Sequence, residues 1–71
     1  MLMNGKSGIF KVKVKCLTNK VGFDMGSIYD GYKNEELFNG QETVSVIDKF
    51  GEEYLYRAEE FEIVEWLEKI R

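Results

Sequence analysis

The sequence predicts an all-β fold, a small five-stranded and partly open barrel with a short 3-10 turn before its last strand and a frayed C-terminal turn. Residues 42 to 65, ETVSVIDKFGEEYLYRAEEFEIVE, read as two strands around a tight polar turn followed by a short returning strand, and Gly51 supplies the freedom the turn needs. Phe10, Val12, Val14 and Cys16 alternate with Lys11, Lys13 and Lys15, the period of a strand with one buried face. Asn39-Gly40 is the strongest two-residue hairpin signal in the chain.

The first strand is expected over residues 9 to 18. Residues 19 to 27 hold two glycines with Asn19, Asp24 and Ser27 and read as a loop closed by Gly26. Val21, Phe23 and Met25 alternate within it, so the loop is expected to fold back over the core. A second strand covers 27 to 33 around Ile28, Tyr29 and Tyr32, where Gly31 permits a bulge or a sharp bend. Residues 34 to 41 read either as a plain connection or as a continuation to Leu37 and Phe38 with Asn39-Gly40 as the turn; the second version is preferred.

The third strand covers 42 to 48 and the fourth 53 to 57, and Ala58, Glu59 and Glu60 suffice for one 3-10 turn. The last segment carries two periods. Phe61, Val64, Leu67 and Ile70 fall three apart as in a helix, whereas Phe61 and Ile63 flank Glu62 as in a strand. A short strand at 62 to 65 is expected, then a last turn or frayed helix. Residues 1 to 8, MLMNGKSG, have no period and are expected to form a disordered tail before a single domain at 9 to 71.

The strings GSIYDGY, VSVIDKFGEEYLY and AEEFEIVE resemble small Gram-positive bacterial and phage-type proteins with an SH3-like barrel. There a Gly-x-Ile-Tyr strand leads to a Val-x-Asp-x-x-Gly hairpin and a closing Phe-Glu-x-Val strand. The resemblance covers roughly residues 9 to 66 and implies a compact barrel, with no catalytic or ligand-binding residue to carry over. SIYDGY is also similar to the ALYDY segment of eukaryotic SH3 domains, but Gly31 interrupts it and the paired tryptophans of a proline-peptide groove are absent. Tyr29 is therefore expected in the core with its hydroxyl at the rim.

Charge is unevenly distributed. Residues 1 to 23 carry Lys6, Lys11, Lys13, Lys15 and Lys20 and no acid, while residues 24 to 71 hold five basic and thirteen acidic groups. Pairing of the basic strand with acidic neighbours follows, and an acidic chain is a poor sequence-independent binder of nucleic acid. The lysine row reads as contact with a polyanion or as a device that keeps a strand soluble and discourages edge pairing; the structural reading is preferred. The single cysteine, Cys16, lies in phase with the apolar positions and reads as a buried, inert thiol of a cytoplasmic protein. No leader-like segment or membrane-length apolar run is present in the sequence, so no membrane association is expected.

The residue inventory points away from catalysis. Histidine is absent, there is no second cysteine, and no serine sits in a nucleophile-elbow pattern. Adjacent carboxylates such as Glu52 and Glu53, or Glu59 and Glu60, point to opposite faces of a strand. Neither zinc nor calcium has a ligand set, because one thiolate cannot make a zinc site and the run from Asp48 to Glu53 lacks calcium-loop spacing. No cofactor is expected.

The reading is a non-catalytic binding module for a protein partner, monomeric or weakly dimeric. Tyr32, Tyr54, Tyr56 and Trp66 are the candidate contact residues, with Glu52, Glu53, Glu59 and Glu60 as an acidic rim, and at least half of the four aromatics substantially buried. The alternative is a nucleic-acid-binding barrel that uses Lys11, Lys13 and Lys15.

Overall fold

The computed structural model describes residues 8 to 71. Five strands, β1 (Ile9–Cys16), β2 (Ile28–Asn34), β3 (Thr43–Ile47), β4 (Glu53–Arg57) and β5 (Phe61–Lys69), form one sheet, with a 3-10 turn at Ala58–Glu60. Their order is β4-β3-β2-β1-β5 and each neighbouring pair is antiparallel. Among the described residues no ladder joins β4 to β5, so the sheet is not closed into a barrel.

The two edges are nevertheless drawn together. Four interstrand spacings would separate them by about 19 Å in a flat sheet, whereas three residues of 3-10 helix advance only about 6 Å. The sheet must therefore curl where Arg57 hands over to Phe61. Ala58 N–H donates to the Glu42 carbonyl at 3.0 Å, and the Glu60 carbonyl accepts from Leu17 N–H at 3.0 Å, fixing the turn against both halves of the sheet.

Alternation in β1 sends Val12, Val14 and Cys16 inward, where they meet Val44 and Val46 of β3 with Phe23 and Phe61. Phe23 is the only buried member of the alternating set in the 17 to 27 loop. It contacts Tyr29, Tyr56 and Phe61 edge-on, with ring centroids 4.8, 5.5 and 5.2 Å away. Val21 and Met25 are exposed, contrary to the expected alternation, because tight turns at Gly22 and Gly26, both at φ +89°, reset the chain direction on either side of Phe23. Tyr29 packs against the core as expected, and its hydroxyl accepts from Asp24 N–H at 2.6 Å.

Local turn chemistry explains the remaining connections. Asn39 and Gly40 both have positive φ, 51° and 77°, and Phe38 and Gln41 exchange backbone hydrogen bonds at 2.9 Å, which makes the preferred Asn-Gly turn. Leu37 and Phe38 do not extend β2, which ends at Asn34. Between β3 and β4, the Asp48 carboxylate accepts from Phe50 and Glu52 N–H at 2.9 Å while Gly51 sits at φ +82°. Gly31 makes no bulge: it pairs in register with Val12 on one side and Val46 on the other, and the missing side chain admits the Ser45 carbonyl.

The C-terminal expectation is corrected. β5 runs nine residues to Lys69, and beyond it the Arg71 carbonyl accepts from Ile9 N–H at 2.9 Å, so there is no frayed turn. The apparent helical period has a different origin. Against β1, β5 steps from Glu68 to Trp66 and from Glu65 to Ile63, so Leu67 and Val64 are each an extra residue. These two bulges convert a strand period of two into an apparent period of three. Of the expected tail, residues 1 to 7 lie outside the described residues. Gly8 is buried; its N–H donates to the Glu35 carboxylate at 3.1 Å and its carbonyl accepts from Glu35 N–H at 2.9 Å.

Candidate binding surface

Register assigns the lysines to a paired face. β1 is an interior strand, between β2 and the edge strand β5, so these residues do not guard an edge: Lys11 lies opposite Glu68, Lys13 opposite Glu65 and Lys15 opposite Glu62 on β5, while Asp30 of β2 faces Lys13 from the other side. Lys13 Nζ donates to Asp30 at 2.6 Å, and this hydrogen bond, followed by the charge of the same carboxylate, raises the lysine pKa above its usual value. The bulges in β5 make the match possible, since they bring glutamates three apart into step with lysines two apart.

The four candidate aromatics do not share a surface. Tyr56 points to the inner side of β4 and packs on Phe61 with centroids 5.4 Å apart, with Lys20 Nζ 5.0 Å above its ring; burial raises its pKa. Trp66 stands edge-on to Phe10 at 5.4 Å and remains exposed. Tyr32 is half-buried on the outer face, opposite Lys11 and Ser45. Tyr54 is exposed beside the β3–β4 hairpin, and its hydroxyl donates to Glu52 at 3.1 Å, the main cause of its raised pKa.

The expected acidic rim is held by internal partners. Besides Glu52 on Tyr54, Glu53 accepts from the Ser45 hydroxyl at 2.5 Å, Glu59 lies 3.5 Å from Arg57, and Glu60 lies 2.9 Å from Lys20. Cys16 is buried and its thiol donates to the Thr18 carbonyl at 3.1 Å, which encloses the sulfur.

Two surface features were not singled out by the sequence. At the end of the sheet, Val21, Met25 and Phe50 are 92 %, 64 % and 67 % exposed, and each directly precedes a glycine with φ between 82° and 89°. Lys49 joins their two loops: its N–H donates to the Gly22 carbonyl at 3.0 Å and its Nζ lies 3.3 Å from Asp24. The available signal was the apolar-Gly dipeptide in each turn, where polar residues usually stand. The second feature is a groove of about 280 Å³ on the outer face, where Ile9, Tyr32, Ser45, Glu53 and Leu55 come together from four strands.

Among the described residues no helix is long and apolar enough to cross a membrane, and no cluster of three or more His, Cys, Asp or Glu is arranged to hold a metal. In comparisons with known proteins, no family model, curated protein or solved structure matches the chain.

Proposed function

We propose that this chain is a non-catalytic interaction module of SH3-like architecture, in which the exposed end formed by Val21, Met25, Phe50 and Tyr54 receives a protein partner. The strand order β4-β3-β2-β1-β5 with a 3-10 turn between β4 and β5 supports the SH3-like assignment. Exposure of three apolar side chains at turn positions is the observation that carries the binding reading. Asp24, Asp48 and Glu52 outnumber Lys49 around them, so the end suits an apolar surface with a basic border better than an anionic membrane. The lysine face supports nucleic-acid binding poorly, because acidic register partners offset its charge.

The test is chemical crosslinking in a bacterial lysate, read by mass spectrometry, with wild-type protein and a Val21→Ser/Phe50→Ser variant. A protein crosslinked at this end of the wild type and lost in the variant is the expected result. Equal capture by both discards this surface. A fluorescent oligonucleotide is expected to remain unbound at low salt, and binding that weakens steeply with salt would favour the lysine face instead.

A further inference from the structure

On the outer face of the sheet the register sets the lysines of β1 opposite glutamates of β5, and one carboxylate that lines the groove has no basic register partner. Lys11, Lys13 and Lys15 face Glu68, Glu65 and Glu62 across β1 and β5, and Arg57 reaches Glu59. Glu53 differs in register: it lies opposite Ile47 on β3 rather than a lysine, and, as for the three glutamates of β5, no lysine or arginine among the described residues stands within ion-pair distance of it. Its only side-chain partner there is the Ser45 hydroxyl, which donates to Oε2 and leaves Oε1 available.

That carboxylate lines the groove with the Tyr32 ring and the aliphatic side chains of Ile9 and Leu55. A volume of about 280 Å³ is slightly below the usual size of a small-molecule site and is enough for one long side chain. Apolar walls beside an aromatic ring and an unpaired carboxylate match an alkyl stem that ends in a cation, since such stems cover apolar surface while their heads seek a counter-charge.

We infer that this groove is a binding site for a lysine or arginine side chain presented by an extended segment of a partner, with the stem along Tyr32, Ile9 and Leu55 and the head on Glu53. The inference goes beyond the interaction surface proposed above. The groove opens on the outer face of the sheet and reaches Glu53 at the start of β4, just after the turn that carries Phe50. None of Val21, Met25, Phe50 or Tyr54 lines it, and neither site requires the other.

The probe is the capped pentapeptide Gly-Val-Arg-Val-Gly, titrated into the ¹⁵N-labelled full chain at low salt, with the norleucine peptide Gly-Val-Nle-Val-Gly as control. The arginine peptide is expected to shift the amide resonances of Tyr32, Ser45, Glu53 and Leu55, and the norleucine peptide to leave them in place. Glu53→Gln keeps an acceptor for Ser45 and is expected to weaken binding about tenfold, the loss of one charge-assisted contact. The Val21→Ser/Phe50→Ser variant is expected to bind the arginine peptide unchanged. Equal shifts with both peptides, shifts that map elsewhere, an unaltered Glu53→Gln titration in a variant with an otherwise native spectrum, or loss of binding in the Val21→Ser/Phe50→Ser variant would each overturn the assignment.

Discussion

A β-carbon on Gly31 would stand 2.5 Å from the carbonyl oxygen of Ser45. The obstacle is backbone, so no side-chain rotation relieves it, and the ladders to β1 and β3 prevent β2 from backing away. Gly31→Ala is expected to destabilise the fold by about 3 kcal/mol, the upper range for overpacking a close-packed core. That is a large share of the roughly 4–10 kcal/mol available to a domain of this length. Urea denaturation measures it, and a midpoint equal to that of wild type would refute the close approach.

The 17 to 27 loop carries a contrast between neighbours. Phe23 is enclosed by Tyr29, Tyr56 and Phe61, whereas Val21 stands almost wholly in solvent. Phe23→Ala is expected to cost about 3–5 kcal/mol through lost burial and the cavity left behind, and Val21→Ala to change stability by less than about 0.5 kcal/mol. Thermal unfolding of the two variants side by side checks this, and equal losses would contradict the placement of the loop.

Features set by adjacent residues were legible in the sequence. Alternation in β1, the paired positive φ values of Asn39 and Gly40, the αL conformation of Gly51 and the 3-10 turn all depend on a few consecutive side chains. What depended on register was hidden. Val64 and Leu67 look like helix positions until each is seen as a surplus residue against β1. The groove was equally obscure, because Ile9, Tyr32, Ser45, Glu53 and Leu55 become neighbours only once four strands are aligned. Val21 and Met25 misled because a turn at each following glycine breaks the alternation they appear to continue.

The facing rows of β1 and β5 predict compensation. Lys15→Glu places like charges opposite each other at Glu62 and is expected to lower stability by about 0.2–1 kcal/mol. Adding Glu62→Lys restores the opposite signs and most of the loss. A double-mutant cycle in chemical denaturation reads the coupling, and additive effects would mean that the two side chains do not interact.

Lys13, Tyr54 and Tyr56 all have folded-state pKa values raised above 10.5, 10.0 and 10.0 respectively. In each case the folded chain holds its proton more tightly than the unfolded chain. Their contribution to stability is therefore complete below the unfolded pKa and is lost as pH climbs through the folded one. Thermal midpoints are expected to hold to about pH 9 and then to fall. Lys13→Met combined with Tyr54→Phe should flatten that decline, since both substitutions remove a titrating group. An equally steep decline in the double variant would assign alkaline unfolding to other groups.

The bulges in β5 can be tested by removing them. Without Val64 and Leu67, the segment reads Phe61, Glu62, Ile63, Glu65, Trp66, Glu68, Lys69, a strict alternation that still sets three glutamates opposite Lys15, Lys13 and Lys11. The double deletion is therefore expected to fold cooperatively, with Phe61 and Ile63 inward as before. Deleting Glu65 and Glu68 instead removes the same number of residues and keeps Trp66 and Lys69 in phase, but sets Val64 opposite Lys13 and Leu67 opposite Lys11. This variant is expected to fold with lower stability than the Val64/Leu67 deletion, because two of the three facing glutamates are lost. The bulges also have a cost-free alternative to exclude: β5 is a nine-residue edge, and bulges twist an edge away from pairing with another molecule. Straightening it should expose a regular row of backbone donors and acceptors. Sedimentation velocity is expected to show a concentration-dependent dimer in the Val64/Leu67 deletion and not in wild type. A straightened variant that folds and remains monomeric would restrict the bulges to aligning the charge rows, and one that unfolds would show that Val64 or Leu67 is itself required in the sheet.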